Sequence, residues 1–185
     1  ASKVSGEEYH VVSVIGDGAL TGGMAYEALN NAASLNKNFV IVLNDNKMSI
    51  SENVGGISSY LSNLRTAESY TDLKSEVKKT LNKVPGIGPV MVQRIHKTKD
   101  SIKQLMIPGM FFEDMGIKYL GPVNGHDCGR MIQVFQEAKK VNGPVLVHVQ
   151  TEKGRGYEPA RKHPARFHGT SAFNLEHGIP LKTGG

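Results

Sequence analysis

The residues best suited to chemistry in this chain are two oxygen-bearing side chains, Asp17 and Asn46, each placed just after an apolar run. The runs are His10–Ile15 and Phe39–Leu43. If both are parallel strands of one sheet, the two side chains meet at its carboxyl edge, where ligands bind in open α/β sheets. Mg²⁺ takes oxygen ligands and usually completes its shell with phosphate oxygens and water. The pair therefore indicates a magnesium site that holds a phosphate-bearing ligand.

Glycines near the aspartate favour the close approach of a phosphate group. Asp17 is flanked by two glycines, one directly before it and Gly18 directly after it. A residue without Cβ lets a phosphate lie against the backbone. Gly22 and Gly23 fall in the first turn of a predicted helix, where each costs about 1 kcal/mol relative to alanine. We expect the amides at the start of this helix, near Leu20, to attract the same anion.

The elements that must position these residues form a strand–helix–strand unit. His10–Ile15 and Phe39–Leu43 are short and apolar, and each predicts a buried strand. Between them, Leu20–Leu35 has apolar residues at helical spacing, and Asn36 is suited to end the helix. This order implies parallel strands joined by a right-handed crossover.

The rest of the chain continues the alternation of strands and helices. The predicted elements are a loop over 44–60, helical segments over 60–106, a short helix over 111–115, a strand over 117–120, a loop over 121–126, an amphipathic helix capped by Asp127, a buried strand over 145–149 and a polar tail. The predicted fold is α/β, with a mostly parallel sheet flanked by helices.

Composition narrows the class of protein. Hydrophobic residues make up 39% and charged residues 21% of the 185 residues, as in an ordinary soluble domain. The longest apolar run is too short for a transmembrane helix, and residues 1–8 lack the apolar segment of a signal peptide. The single cysteine, Cys128, excludes an internal disulfide and argues against a cysteine-based metal site. We therefore expect a cytoplasmic protein with no membrane partner.

Four blocks, in order along the chain, carry a resemblance to a known family. They are GDGALTGGMAYEALNNA at 16–32, VLNDNKMSISENVG at 42–55, PGMFFEDMGIKYLGPVNGHD at 108–127 and KGRGYEPARKHPARFHG at 153–169. The first two contain the Gly-Asp-Gly and Asn pattern of thiamine-diphosphate enzymes. All four together resemble the 1-deoxy-D-xylulose-5-phosphate synthases. The resemblance implies a transketolase-like, thiamine-diphosphate-binding fold in which Mg²⁺ holds the cofactor's diphosphate.

The resemblance also implies an activity and roles for individual residues. The family condenses pyruvate with D-glyceraldehyde 3-phosphate to 1-deoxy-D-xylulose 5-phosphate and CO₂, feeding isoprenoid and thiamine synthesis, and typically forms homodimers. Carried onto this sequence, the implied magnesium ligands are Asp17, Asn46 and the backbone carbonyl of Met48. The implied cofactor contacts are Gly18, Ala19, Asn46 and Tyr157. His168 is implied to lie near the reacting groups, where an imidazole could move protons.

Two positions depart from the family pattern. Asn124 stands where aspartate is expected, and Arg161 stands where glutamate is expected. Neither belongs to the metal set, so the expected function is unchanged. Without the resemblance, His168 is typical of a surface histidine on a polar tail. Asp127, beside His126, is explained by its place as a helix cap.

The ends of the sequence predict a piece of a longer protein, because it opens almost directly into a strand and closes on the linker-like Leu181–Gly185. We expect residues 1–175 to form a partial diphosphate- and magnesium-binding domain, with a mobile helical insert over about 49–108. Residues 176–185 would link it to a missing pyrimidine-binding domain, which the resemblance implies carries a catalytic glutamate. The piece alone is therefore expected to be inactive.

Three other functions fit parts of the sequence. Residues 81–95, LNKVPGIGPVMVQRI, resemble a helix-hairpin-helix and, with a net charge of +5, would give salt-dependent DNA binding. A Pro-Gly break in a mobile insert explains the same residues, so we expect no nucleic-acid partner. Another transketolase-like enzyme would share the metal site and differ in its products. A non-catalytic scaffold would bind a nucleotide diphosphate such as ADP.

Overall fold

A computed structural model describes residues 2–7, 9–48, 55–66 and 109–181 of the chain. The strands are β1 (Val12–Gly16), β2 (Phe39–Asp45), β3 (Lys118–Asn124) and β4 (Pro144–Gln150). The helices are α1 (Ser2–Ser5), α2 (Gly23–Leu35), α3 (Gly56–Thr66), α4 (Met110–Asp114), α5 (Cys128–Ala138) and α6 (Glu158–Lys162). The strands form one parallel sheet in the order β1-β2-β4-β3, which confirms the predicted α/β fold with a parallel sheet.

The predicted strand–helix–strand unit is present, with β1 and β2 paired in parallel from Val12 opposite Val40 to Gly16 opposite Asn44. The prediction that the first strand is buried is wrong. Val12 is 54% and Val14 71% exposed, because β1 lies at the edge of the described sheet and one of its faces is uncovered by the described residues. Both carboxyl ends nevertheless reach the same edge of the sheet.

The helix after β1 begins later than the sequence predicts. A 3-10 turn over Ala19–Thr21 comes first, and α2 starts only at Gly23, because Gly22 is extended. The Thr21 hydroxyl donates to the Gly18 carbonyl at 2.7 Å and closes the turn locally. The prediction of a single helix that begins at Leu20 is therefore wrong for the first turn. Its predicted end is confirmed, since Asn36 takes the left-handed conformation with φ 44°.

Two predicted loops contain regular structure. Residues 56–60 belong to α3, and residues 121–124 belong to β3. In β3 the register against β4 shifts between Leu120 and Val123, so the Gly-Pro pair that resembles a turn is a bulge. Gly121 has φ 126°, and a Cβ there would lie 2.6 Å from the carbonyl oxygen of His148. Only glycine allows this close approach of β3 to β4.

The core lies on both faces of the sheet, and β2 alternates between the two. Ile41 and Leu43 pack with buried residues of α2, α3 and α4, whereas Val40 and Val42 pack with Val134 of α5. Helices therefore cover both faces, as predicted for a parallel sheet. Each fully buried aliphatic side chain contributes roughly 1.5–3 kcal/mol.

The segment after β4 is not the polar tail that the sequence predicts. It contains α6 and a cluster of the aromatic rings Tyr157, Phe167 and Phe173. Residues up to 181 fold back, and the Leu181 amide donates to the Ala172 carbonyl at 3.0 Å. The domain boundary at 175 remains a prediction.

Several expectations fall on residues outside the described part of the chain. Of the insert predicted over 49–108, residues 49–54 and 67–108 are not described, and neither is the helix-hairpin-helix resemblance at 81–95. None of the described helices has the length and apolar character needed to cross a membrane.

Candidate functional site

Asp17 and Asn46 meet at the carboxyl edge of the sheet. The Asp17 amide donates to the carbonyl of Asn44 at 3.2 Å, which joins the end of β1 to the end of β2. The backbone amide of Asn46 in turn donates to the Asp17 carboxylate. Asp17 is only 1% exposed. An ionised carboxylate that is so buried requires nearby donors or a cation.

Residues 45–48 form a tight turn that ties the candidate ligands together. The Asn46 side-chain oxygen accepts from the Met48 amide at 3.0 Å, and the Asp45 carboxylate accepts from the Lys47 amide at 3.3 Å. Lys47 has φ 65°, a left-handed conformation inside the turn. The two side chains therefore fix the backbone path that carries Asn46 and the Met48 carbonyl.

Arg65 of α3 links the two carboxylates of the site, and sequence reasoning missed it. Its Nε donates to Asp45 Oδ2 at 2.6 Å, and its Nη2 donates to Asp45 Oδ1 at 2.5 Å. The same Nη2 lies 3.4 Å from Asp17 Oδ2. The Arg65 side chain is 11% exposed, so this cation sits among buried anions rather than on the surface.

A buried histidine and tyrosine complete the environment of Asp45. His148 Nε2 lies 2.9 Å from Asp45 Oδ2, and the Tyr119 hydroxyl lies 2.7 Å from His148 Nδ1. A carboxylate can only accept, so Nε2 donates to Asp45, and in the neutral imidazole Nδ1 accepts from the tyrosine hydroxyl. Burial raises the pKa of Tyr119 far above its usual value, which keeps the proton on its hydroxyl. Hydrogen bonds therefore connect Tyr119 to His148 and His148 to Asp45.

The pKa values of Asp17 and Asp45 are shifted in opposite directions. Burial raises the pKa of Asp17, and the neighbouring Asp45 carboxylate raises it further against the opposing effect of Arg65. Burial alone would also raise the pKa of Asp45, but the hydrogen bonds from His148 and Arg65 outweigh burial and hold that pKa well below its usual range. Of the two, Asp17 is therefore the carboxylate whose ionised form is stabilised less by its neighbours.

The sequence contained weak signals for these missed residues. Asp45 lies inside the Asn-Asp-Asn block, and His148 interrupts the otherwise apolar run Val145–Val149. A histidine within a buried strand requires polar partners, and this requirement could have identified it. Arg65 lies 48 residues from Asp17 in a segment without a clear pattern, so no local pattern indicated it.

A cleft of about 750 Å³ opens beside the turn at residues 45–48. Its lining, among the described residues, includes Asn46 and Met48 together with the basic side chains Lys47, Arg65, Lys153 and Arg161. The Nζ of Lys153 lies 2.5 Å from Nδ1 of His168. His168 therefore contacts a residue of the cleft wall, and the basic lining suits an anionic ligand.

The other predicted contact residues lie at two different places. Gly18 and Ala19 follow Asp17 directly and form the start of the 3-10 turn. Tyr157 packs against Phe167 and Phe173, and its hydroxyl donates to the Leu175 carbonyl at 2.8 Å. These contacts hold Tyr157 in the segment after β4 and do not join it to Asp17.

Both departures from the family pattern form local contacts. Arg161 pairs with Glu152 at 2.6 Å and with a second glutamate in α6. Asn124 accepts from the His126 amide at 3.0 Å, while His126 Nε2 accepts from the Glu152 amide at 2.8 Å. Asp127 caps α5 by accepting from the amide three residues on at 2.9 Å, which confirms the predicted cap.

Comparison with known proteins decides the family. The model of the family described as 1-deoxy-D-xylulose-5-phosphate synthase matches residues 1–151. The chain belongs to the 1-deoxy-D-xylulose-5-phosphate synthase family. The synthase of Lachnoclostridium phytofermentans is 52% identical over 182 residues, which are 98% of this chain and 29% of that protein. The synthase of Desulfitobacterium hafniense (strain DSM 10664 / DCB-2) is 55% identical over 176 residues, 95% of this chain and 28% of that protein.

The chain therefore spans less than a third of the length of these members of the family. The matched range includes residues 81–95, so family membership accounts for the segment that resembles a DNA-binding motif. Among solved structures, transketolase from Campylobacter jejuni superposes with a TM-score of 0.53 at 21% identity, covering 86% of this chain and 18% of that protein. This likeness confirms the transketolase-like fold.

Proposed function

We propose that this chain supplies the diphosphate- and magnesium-binding part of a transferase that condenses pyruvate with D-glyceraldehyde 3-phosphate to 1-deoxy-D-xylulose 5-phosphate and CO₂. The observation that carries the proposal is that Asp17 and Asn46 follow paired strand ends at one sheet edge, where the Asp17 amide donates to the Asn44 carbonyl at 3.2 Å. The family match over the same strands supports the choice of reaction.

The donor set fits a magnesium ion that bridges to a diphosphate. Asp17 offers a carboxylate, Asn46 an amide oxygen and Met48 a backbone carbonyl, all oxygen donors of the kind that Mg²⁺ prefers. Phosphate oxygens and water would complete the shell, as is usual for Mg²⁺. The Arg65 guanidinium, 3.4 Å from Asp17, offsets part of the negative charge of this carboxylate.

Thiamine diphosphate, when bound, supplies the stabilisation of a carbanion. The residues of this chain bind and orient it. Asp17, Asn46 and Met48 would hold the metal, and Gly18 and Ala19 would lie against the diphosphate.

Two further residues are assigned to this ligand site. Tyr157 would contact the cofactor. We assign His168 to proton movement near the reacting groups, with Lys153 at 2.5 Å fixing its ring. A cytoplasmic homodimer is part of the same proposal.

The test compares two Asp→Asn variants of the full-length protein that contains this chain. Asp17→Asn replaces the negative carboxylate of a proposed metal ligand with a neutral amide. We expect the formation of 1-deoxy-D-xylulose 5-phosphate to fall by more than about 100-fold, because loss of an outer-shell partner alone costs about 10–100-fold. Asp127→Asn makes the same chemical change at a helix cap, where asparagine serves as well as aspartate, and should leave the rate unchanged. A full rate in Asp17→Asn would disprove the metal assignment.

Product analysis tests the reaction itself. With pyruvate and D-glyceraldehyde 3-phosphate as substrates, CO₂ and the five-carbon ketose phosphate should form in equal amounts. Formation of ketose phosphates by two-carbon transfer from a sugar phosphate donor, without CO₂, would instead assign the chain to a transketolase reaction.

A further inference from the structure

We propose that Tyr119, His148 and Arg65 are positioning residues that fix the Asp45 carboxylate and, through it, the metal-binding turn at residues 45–48. This inference rests on the proposed function, since it assigns to these residues a role in the affinity for the metal. None of the three belongs to the proposed ligand set.

The geometry around Asp45 leaves its carboxylate little freedom. Oδ2 accepts from Arg65 Nε at 2.6 Å and from His148 Nε2 at 2.9 Å, while Oδ1 accepts from Arg65 Nη2 at 2.5 Å and from the Lys47 amide at 3.3 Å. Donors therefore come from three elements: α3, β4 and the turn itself. Such a fully satisfied buried network is rigid.

The network reaches the candidate ligands through the backbone of the turn. Asp45 precedes Asn46 directly, and its Oδ1 holds the amide of Lys47, the residue with φ 65°. The next amide, that of Met48, is held by the Asn46 side chain. A rotation of the Asp45 carboxylate would release the Lys47 amide and shift the residues on both sides of it.

The contact from Tyr119 supports one tautomer of His148. Because the Asp45 carboxylate only accepts, Nε2 donates to it, and in the neutral imidazole Nδ1 then accepts from the Tyr119 hydroxyl. Tyr119 and His148 are both fully buried, so water does not substitute for the hydroxyl. Without it, the Nδ1 acceptor is unsatisfied and the imidazole is no longer held in this tautomer.

The test measures metal binding rather than turnover, with Mn²⁺ as a paramagnetic probe for the magnesium site. The full-length protein is titrated with Mn²⁺ at saturating thiamine diphosphate, and free Mn²⁺ is counted by electron paramagnetic resonance. We expect His148→Leu to weaken Mn²⁺ binding by about 10–100-fold, the range for lost outer-shell partners. Tyr119→Phe should weaken it in the same direction. His148→Gln keeps an N–H for Asp45 and should restore part of the affinity.

Tyr26→Phe is the matched control for Tyr119→Phe. The Tyr26 hydroxyl is also buried, yet it has no hydrogen-bond partner among the described residues. Its removal should leave Mn²⁺ affinity unchanged. Equal losses in both variants would overturn the inference, because the effect would then come from any lost buried hydroxyl.

A second measurement keeps the inference testable if His148→Leu does not fold. Hydrogen exchange of metal-free Tyr119→Phe is followed by mass spectrometry in peptides spanning residues 44–48 and, for reference, α5. Faster exchange at 44–48 with an unchanged α5 supports the inference, and unchanged exchange at 44–48 overturns it. If wild type binds no Mn²⁺ with thiamine diphosphate, the proposed function fails. If wild type binds and the folded variants bind equally well, only the positioning role fails.

Discussion

Replacing Arg65 by methionine should destabilise the sheet edge strongly, because it removes the one charge that both buried carboxylates share among the described residues. Methionine keeps the length of the stem and loses contacts of 2.5 and 2.6 Å to Asp45 and of 3.4 Å to Asp17. The two carboxylates are 2% and 1% exposed, so water does not replace the guanidinium. Breaking a buried ion pair by removing one partner costs about 3–5 kcal/mol.

Native-state hydrogen exchange measures this cost locally. In metal-free full-length protein, amides of β2 and β4 should exchange roughly two to three and a half orders of magnitude faster in Arg65→Met, since each 1.4 kcal/mol is tenfold. Arg161→Met is the control, because Arg161 also makes two close ion pairs, at 2.6 and 3.0 Å. That side chain is 46% exposed, and exposed pairs contribute little. Similar hydrogen-exchange rates in both variants would refute the claim that the loss of stability depends on the burial of the ion pairs and not on their number.

Three further predictions concern Asp45, Asp127 and Gly121. His148 and Arg65 lower the folded-state pKa of Asp45, so the contribution of Asp45 to stability is present above its unfolded pKa of about 3.8 and is lost as pH falls through the folded pKa. Asp45→Asn should therefore have a lower free energy of unfolding than wild type at pH 7. In acid denaturation the difference between the two proteins should shrink. Asp127→Ala should lower the stability of α5 by about 1 kcal/mol through loss of its cap, whereas Asp127→Asn should change that stability little. Hydrogen exchange of the first amides of α5 measures both effects. Gly121→Ala should lower the free energy of unfolding by more than about 1 kcal/mol, because φ is 126° and the new Cβ would lie 2.6 Å from the His148 carbonyl oxygen. Amides of β3 that exchange hydrogen at the wild-type rate would contradict this account.

Patterns that repeat within one element were predicted well from the sequence. The parallel pairing of β1 and β2 follows from two apolar runs joined by a helix, and it was enough to bring Asp17 and Asn46 to one edge. Asn36 and Asp127 were predicted correctly as helix boundaries, because capping depends on neighbours within a few residues. The errors come from competition between local and tertiary contacts. Gly121 and its proline are typical of a turn, but pairing with β4 retains them in β3 as a bulge.

The environment of the site could not be predicted in the same way, since it depends on contacts between distant segments. Arg65 is 20 residues from Asp45 and 48 from Asp17, while His148 is 103 residues from Asp45. Each contact requires α3 or β4 to lie beside β2, and the sheet order that places β4 there is not visible in any single segment. The burial of β1 was mispredicted for a related reason, since an apolar run does not reveal which strand lies at an edge.

The two carboxylates at this edge differ because their donors differ, and that difference fits the roles proposed for them. Asp45 is surrounded by donors on both oxygens, so further positive charge would gain little there. Asp17 has the longer contact to Arg65, and both burial and the neighbouring carboxylate raise its pKa. This difference supports the proposal that a divalent cation binds Asp17, while Asp45 keeps the turn in place. Under the proposed function, changes at His148 and Tyr119, which lie outside the proposed ligand set and contact Asp45 or each other, should act on the affinity for the metal through Asp45.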